Sequence, residues 1–152
     1  MIRVVVDTNV LVYALDGDAP QHAAARAMLD AAREGSITLY VTPQILCEFY
    51  STVTNARRVP KPSSAAAAIA VIADLLTVLH VLPIPAHMIE GLLDLLRRRP
   101  VTGADVFDLQ IVATMQASGL RTIYTFNTAD FAAFPEISVV TPAAPPAAEL
   151  GA

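Results

Sequence analysis

The sequence predicts an α/β fold built around a central, mainly parallel sheet. Residues Ile2 to Val6 form a short β-branched run that ends at Asp7, which is typical of a strand buried on both faces of a parallel sheet. Further apolar runs of strand length alternate along the chain with segments that have helical spacing. No internal repeat is visible at any useful period, so the pattern is that of an α/β domain without repeats.

Capping and turn residues set the order of the elements after the first strand. Thr42 followed by Pro43 is typical of a helix N-cap with a first-turn proline, and the apolar residues that follow keep helical spacing, so we expect Glu48 on a helix. Gly35 and Gly119 are expected to end two other helices. The further expected elements are a helix from Asp18 and Pro20 to Arg33, a strand from Ile37 to Val41, a helix from Ser63 or Ser64 to about Leu79, a strand from Val81 to Ile84, a helix from Pro85 to Arg98, a helix from Asp105 to Ser118, and strands from Thr122 to Phe126 and from Ile137 to Val140.

Length and composition fit one domain over residues 1–141, followed by a tail over residues 142–152. A chain of 152 residues typically buries roughly 70% of the surface that its unfolded form exposes, so a second domain is unnecessary. With 55% hydrophobic and 16% charged residues, the chain is too apolar to be disordered as a whole. The tail is rich in Pro and Ala, and we expect disorder there because it cannot bury enough surface to offset its ordering entropy.

The charge pattern excludes several classes of protein. No apolar run has the length and freedom from charge that a bilayer requires, so no membrane segment is expected. An acid at position 7 interrupts the first apolar run before a signal-peptide core develops, which leads us to expect a cytoplasmic protein. A net charge of -4 does not suggest a general binder of polyanions, so any RNA contact must be local or bridged by a metal ion.

Cys47 is the only cysteine, and its neighbours Leu46 and Phe49 suggest a buried thiol without a redox role.

Three acids are candidate site residues. Ligand sites in open α/β sheets lie beyond the carboxyl ends of the strands, and Asp7 is the residue at which the first strand ends. An isolated aspartate at such a position is better explained as a helix N-cap or turn residue. Asp105 and Asp108 are three residues apart and share a helix face. Apolar residues continue this face, so Asp108 is expected to point towards the core. The position of Asp105 is explained by the helix dipole alone, which favours acids in the first turn. Glu48 lies at the border of an apolar helix stripe, where it needs a partner unless it is half-exposed.

Converging carboxylates require a compensating charge. Two carboxylates about 4 Å apart repel by roughly 4 kcal/mol at an effective dielectric constant of about 20, so three of them would rival the stability of the domain. Oxygen ligands without grouped His or Cys suit Mg²⁺, with Mn²⁺ as a substitute, and do not suit structural zinc. His22, His80 and His87 are far apart in the sequence and are expected to be ordinary surface or core residues.

The segment from Thr125 to Phe131 is a further polar feature. Asn127 follows a strand end as Asp7 does, so it could supply a fourth component of the site. It could instead cap the short helical turn that contains Asp130. Composition leaves both alternatives open.

Several separated segments together resemble PIN-domain nucleases of the VapC toxin type, over nearly the whole chain except the tail. The resemblance implies a PIN-like three-layer α/β/α fold in which Asp7, Glu48 and Asp108 are the metal-binding and catalytic acids and Asn9 buttresses Asp7. The segments that carry it are Val5-Val6-Asp7-Thr8-Asn9-Val10-Leu11, the helix with Glu48, Asp108-Leu109-Gln110-Ile111-Val112-Ala113, and Thr125-Phe126-Asn127 leading to Asp130-Phe131.

The same resemblance implies a function and partners. It implies a Mg²⁺-dependent endoribonuclease that is the toxin of a type II toxin–antitoxin system, and commonly a homodimer. A VapB-type antitoxin is expected to cover an apolar groove and block the site. Many members have a fourth aspartate where this chain has Asn127. Its amide could still orient a water on the metal, and Asp105 or Asp130 could supply the missing negative charge.

Two other functions compete with this one. A phosphatase of the haloacid dehalogenase type also uses a strand-terminal aspartate with Mg²⁺, but it expects an acid two residues later, where this chain has Asn9. A PIN-fold binding module that has lost catalysis is consistent with Asn127, although the joint presence of Asp7, Glu48 and Asp108 weakens that alternative.

Two basic clusters could guide an RNA substrate despite the negative net charge. They are Arg57, Arg58 and Lys61, and the run from Arg97 to Arg99. Because the second cluster ends a predicted helix, where cations complement the helix dipole, the first is the better candidate.

Overall fold

The computed structural model describes residues 2–143, which form five parallel strands and six α-helices. The strands are β1 (Ile2–Val6), β2 (Ile37–Val41), β3 (His80–Val81), β4 (Thr122–Tyr124) and β5 (Ser138–Val140). The helices are α1 (Thr8–Leu15), α2 (His22–Arg33), α3 (Pro43–Val53), α4 (Ala65–Leu75), α5 (Met88–Arg98) and α6 (Val106–Ala117). The predicted α/β class with a parallel sheet is confirmed.

Strand β1 lies at the centre of the sheet, in the order β3-β2-β1-β4-β5. Val4, Val5 and Val6 are fully buried, because β2 and β4 flank the strand and helices cover both faces of the sheet. Branched side chains suit such a position, since their restricted rotamers fit the pleated surface and every side chain meets a packed layer.

The strand order reverses between β1 and β4. The chain adds β2 and β3 on one side of β1 and then returns to add β4 and β5 on the other side. The crevice beyond the carboxyl ends of the strands at such a reversal is the usual ligand site of open α/β sheets. Asp7 follows β1 and Thr125 follows β4, so the topology places both residues at this crevice.

The helices form two groups on the sheet. Helix α1 packs against α2 and α3, and α3 packs against α4, whereas α5 packs against α6. Because crossovers between parallel strands are almost always right-handed, a reversal in the direction of strand addition moves the connecting helices to the opposite face. The result is a three-layer α/β/α arrangement.

Helix α1 is an element that the sequence pattern did not predict. It has only eight residues, and its Val10, Val12 and Thr8 are β-branched, which lowers helix propensity and leaves too short a stretch for periodicity. Tertiary packing stabilises it instead, because Val10 and Leu11 are buried in the core. Its N-cap is Asp7.

Prolines shorten the elements between α4 and α5. Strand β3 has two residues, not the predicted four, because Pro83 and Pro85 have no N–H to donate to a neighbouring strand. The backbone N–H of Leu82 still bonds to Val41 at 2.7 Å, after which the pairing stops. Other ends also differ from the prediction: α2 begins at His22 instead of near Asp18, α4 ends at Leu75 instead of about Leu79, and α5 begins at Met88 instead of Pro85.

The prediction of a buried Cys47 thiol is wrong, because the side chain is exposed. The buried positions of α3 are Ile45, Phe49 and Val53, which repeat every four residues. Cys47 lies half a turn from Ile45 and therefore on the outer side of the helix.

The predicted tail over residues 142–152 lies outside the described residues except for Pro142 and Ala143, so its disorder and the domain boundary stay predictions. In residues 2–143, none of the helices combines the length and hydrophobicity needed to cross a membrane.

The cap of α3 gives a first test of the fold. Thr42 is buried, and its hydroxyl oxygen accepts a hydrogen bond from the backbone N–H of Ile45 at 3.1 Å, as the Thr-Pro pair predicted. We expect Thr42→Ala to lower the free energy of unfolding by about 1 kcal/mol, measured as a shift of the urea midpoint. Thr42→Ser keeps the hydroxyl and should lose less. Equal losses in the two variants would contradict a capping role.

Candidate functional site

Five carboxylates, one of them Asp16 at the end of α1, line one cleft beyond the carboxyl ends of β1 and β4. The cleft has a volume of about 560 Å³. We call it the acid cleft, and its polar lining includes Asp7, Glu48, Asp108, Asn127 and Asp130. The fold thus places the three acids proposed from the sequence along a single surface, with Asn127 and Asp130 beside them.

Asp7 is the most constrained of these acids and is only 7% exposed. Its Oδ1 accepts a hydrogen bond from the backbone N–H of Thr8 at 2.9 Å, which caps α1. Its Oδ2 accepts one bond from Asn9 Nδ2 at 3.0 Å and one from the Thr125 hydroxyl at 2.9 Å. Asp7 is therefore a helix cap, and it also faces the cleft.

Thr125 and Asn9 connect β4 to Asp7. The Thr125 hydroxyl donates to Asp7 and accepts from Asn9 Nδ2 and from the backbone N–H of Asn127, both at 3.0 Å. One donated and two accepted bonds use the full capacity of a hydroxyl group. The side-chain oxygen of Asn9 accepts from the backbone N–H of Phe126 at 2.9 Å. Asn9 therefore holds Asp7 and the end of β4 in a fixed relation.

Glu48 is held by two neutral side chains. Its Oε2 accepts a hydrogen bond from the Thr8 hydroxyl at 3.1 Å, and its Oε1 accepts one from Gln44 Nε2 at 3.0 Å. The side chain is half-buried on α3. Both oxygens therefore have a donor, but no cation compensates the charge of Glu48 within residues 2–143.

Asp108 lies in the first turn of α6, half-buried at the edge of the core. Its pKa is raised from the ordinary value of 3.8 to about 7, chiefly by burial and in addition by nearby negative charges. These charges belong, in decreasing order of effect, to Asp130, Asp7, Glu48 and Asp105.

The pKa of Asp7 is also raised, chiefly because burial disfavours its charged form. Hydrogen bonds from Thr125 and Thr8 act in the opposite direction, and the charges of Glu48 and Asp130 add to the increase. Two acids of the cleft are thus held in surroundings that oppose their ionisation.

Asp130, and not Asp105, lies in the cleft. Asp105 is exposed, is absent from the cleft lining, and has the smallest of the four charge effects on Asp108. Asn127 precedes the short 3₁₀ turn Thr128–Asp130, but its side chain makes no capping hydrogen bond there. The structure therefore favours Asn127 as a cleft residue over Asn127 as a cap.

The chemistry of the lining fits a hard divalent cation. Carboxylate and amide oxygens are present, and no His or Cys belongs to the lining among the described residues. As they stand, no three Asp, Glu, His or Cys side chains of residues 2–143 are grouped closely enough to hold a metal ion by themselves. Mg²⁺ is usually bound through one or two carboxylates together with water and substrate phosphates, so a complete protein cage is not required.

A sequence profile of the PIN domain matches residues 4–137. The chain belongs to the PIN domain family. A sequence comparison with curated proteins found no match.

Solved structures have the same fold as this PIN domain. A chain of VapBC2 from Rickettsia felis, solved bound to a DNA fragment from its promoter, is 19% identical with a TM-score of 0.67, over 93% of this chain and 98% of that one. VapC20 from Mycobacterium tuberculosis, a Sarcin-Ricin loop cleaving toxin, is 22% identical with a TM-score of 0.64, over 86% and 95%. A chain of a toxin–antitoxin complex from Klebsiella pneumoniae is 21% identical with a TM-score of 0.63, over 92% of this chain and 98% of that one. The predicted PIN-like α/β/α fold is confirmed.

The sequence did not predict two residues that contact Glu48, namely Thr8, which lines the cleft, and Gln44, which does not. Gln44 precedes Glu48 by four residues on α3, and that spacing alone indicates a contact on one helix face. Thr8 is 40 residues from Glu48 along the chain, so only the fold brings the two together.

The hydroxyl of Thr125 can be removed almost without a change of shape. We expect Thr125→Val to lower the free energy of unfolding by about 1–3 kcal/mol, because buried Asp7 loses a donor and the N–H groups of Asn9 and Asn127 lose an acceptor. Urea denaturation measures the loss, and Thr125→Ser, which keeps the hydroxyl, is the matched control. A valine variant as stable as the parent would show that the network contributes nothing.

The raised pKa of Asp108 predicts how the stability of the metal-free PIN domain depends on pH. The folded pKa of about 7 exceeds the unfolded value of 3.8, so the folded state keeps a proton that the unfolded state releases. Stability is therefore highest below the lower value and is lost as the pH rises through the higher one. Asp7, whose pKa is also raised, contributes in the same direction.

We expect Asp108→Asn to remove much of this loss in EDTA. At pH 8 the variant should be more stable than the parent by about 1–2 kcal/mol, a figure reduced for the solvent that reaches this half-buried side chain. Thermal unfolding between pH 5 and pH 8 measures the difference. The control is Asp105→Asn, which removes an exposed acid next to the same helix and should keep most of the pH dependence. A parent protein whose stability rises over this interval contradicts the expectation.

Proposed function

We propose that this PIN domain is a metal-dependent endoribonuclease, the toxin component of a type II toxin–antitoxin system, which acts in the cytoplasm. The observation that carries the proposal is the acid cleft, which Asp7, Glu48, Asp108 and Asp130 line without a compensating ion pair among the described residues. Burying like charges without compensation lowers the stability of a domain, and sites that tolerate this cost are commonly functional.

Asp7, Asp108 and Glu48 would hold Mg²⁺, and Mn²⁺ would substitute for it. The raised pKa values of the two aspartates support this assignment, because a bound cation stabilises exactly the charged forms that burial disfavours. When bound, a divalent cation supplies Lewis acidity that lowers the pKa of water and shields the phosphate oxygens.

The side chains around these acids would set the geometry of hydrolysis. Thr125 and Asn9 fix the carboxylate of Asp7, and Thr8 with Gln44 fixes that of Glu48. The Asn127 amide, which lies on the cleft, would orient a water, and Asp130 would supply the negative charge that an amide at position 127 lacks. Rigid placement of this kind lowers the entropic part of the barrier.

A VapB-type antitoxin and a second copy of this chain are the proposed partners. Structurally similar chains come from VapBC2 of Rickettsia felis and a toxin–antitoxin complex of Klebsiella pneumoniae. Apolar side chains on α5 and on α4 with its C-cap are exposed and could be covered by such partners, namely Ile69, Leu76, Ile89 and Leu93. RNA is the proposed substrate.

Cleavage of total cellular RNA by the purified protein tests the activity. We expect discrete fragments with Mg²⁺ or Mn²⁺ and none in EDTA. Asp7→Asn should reduce the rate on the order of a hundredfold or more, since metal assistance contributes several kcal/mol to such barriers. Asp94→Asn makes the same chemical change at an exposed position on α5 and should cleave like the parent.

Metal binding has a second readout in thermal unfolding. Mg²⁺ should raise the melting temperature of the parent and of Asp94→Asn, but not of Asp7→Asn, because only a ligand of the folded state stabilises it. Cleavage that persists in EDTA, or an Asp7→Asn variant as active as the parent, would rule out the proposed mechanism. No cleavage together with a normal metal shift would indicate a binding module.

A further inference from the structure

Phe107 provides an open aromatic face in the acid cleft. It is 39% exposed, and of the exposed large apolar side chains in residues 2–143 it alone lines this cleft. Its ring contacts no other ring or cation in the described part of the chain. Tyr13, also in the lining, already packs edge-on against Phe126, with ring centroids 5.3 Å apart. The face of Phe107 is therefore the one available for stacking.

Arg58 is the only cationic residue in the lining, counted over residues 2–143. The carbonyl oxygen of Asn55 accepts bonds from the backbone N–H groups of Arg58 at 2.9 Å and Val59 at 3.1 Å, which fixes the turn that presents Arg58. Its guanidinium forms no ion pair with any described residue, although five carboxylates line the same cleft. Lys61, three residues later, pairs instead with Asp18 at 3.3 Å. Arg58 is thus free to bind an anion.

We propose that Phe107 stacks on an unpaired nucleobase of the substrate while Arg58 binds a backbone phosphate of the same strand. Phe107 directly precedes Asp108, so a base on its ring lies beside the acids. The guanidinium suits phosphate because its N–H groups form paired hydrogen bonds to two oxygens. Both are positioning residues. The inference rests on the proposed ribonuclease function and assigns the residues that hold the RNA there.

The two contacts have different chemical signatures. Stacking requires a base but no particular sequence, because every base has a flat face. A phosphate contact requires only the backbone and weakens with salt, since binding releases counterions from the strand. Removing the bases should therefore abolish the contribution of Phe107 and leave that of Arg58 intact.

The experiment measures binding of two fluorescent RNA strands by anisotropy, in the Asp7→Asn background so that the strand is not cut. One strand is an oligoadenylate, and the other is an abasic ribose–phosphate strand of the same length. We expect Phe107→Leu to weaken binding of the oligoadenylate about tenfold and to change binding of the abasic strand little. Phe107→Tyr, which keeps the ring, should restore most of the affinity.

Arg58→Gln should weaken binding of both strands and lower the salt slope of log K by about 0.7, the value for one phosphate contact with a single strand. Arg57→Gln is the matched control, because Arg57 is the exposed neighbour outside the cleft lining. Equal effects of the two arginine variants would show a general effect of charge and overturn the assignment of Arg58.

The outcomes separate this inference from the proposed function. If the parent cleaves RNA but Phe107→Leu binds both strands as the parent background does, the stacking role is wrong and the nuclease function stands. If Phe107→Leu weakens binding of a protein partner and leaves binding of both strands unchanged, the stacking role is overturned and the exposed ring belongs to a protein interface. If the parent neither cleaves RNA nor binds either strand, both proposals fall together.

Discussion

The buried carboxylate of Asp7 is the constraint on which the site depends. Three hydrogen bonds to its two oxygens join the end of β1, the start of α1 and the end of β4. They lie where the strand order reverses, so the same contacts that close the fold also shape the cleft. Burial still outweighs these bonds and keeps the pKa of Asp7 raised. Because this charge is incompletely compensated, it lowers the free energy of unfolding, and a bound cation could raise it again.

The acids of the cleft are held with different degrees of rigidity. Asp7 is locked between strand ends, and Glu48 has a neutral donor on each oxygen. The Asp108 carboxylate has no hydrogen bond within residues 2–143, and burial, together with the neighbouring negative charges, raises its pKa to about 7. The acids thus share one cleft, although no three of the described acids are grouped closely enough to hold a metal ion by themselves. Asp7 is thus fixed at the end of β1, whereas Asp108 on α6 is less constrained by hydrogen bonds.

Local signals made much of the fold predictable from the sequence. The β-branched run of β1, the Thr42-Pro43 cap and the stop at Gly119 act over a few residues, and each appears as expected. Helix α1 could not be predicted from the sequence pattern, because its stability comes from burial and from its N-cap Asp7, which is also a candidate site residue. The acids Asp7, Glu48 and Asp108 were found through their positions on elements, and the family resemblance supported them. Thr8 was missed because its contact with Glu48 spans 40 residues and exists only in the folded chain.

The charge distribution constrains how such a protein can bind a polyanion. Four of the ten Lys and Arg residues, namely Arg33, Lys61, Arg97 and Arg98, form ion pairs with nearby acids. Arg99, from the second basic cluster, lies over the ring of Phe134. With a net charge of -4, the long-range field repels RNA, so affinity must come from contacts made at short range. A cleft with one unpaired arginine and one open aromatic ring meets that requirement. It also favours strands whose bases are free to stack, because a duplex offers the negative backbone without the compensating base contact.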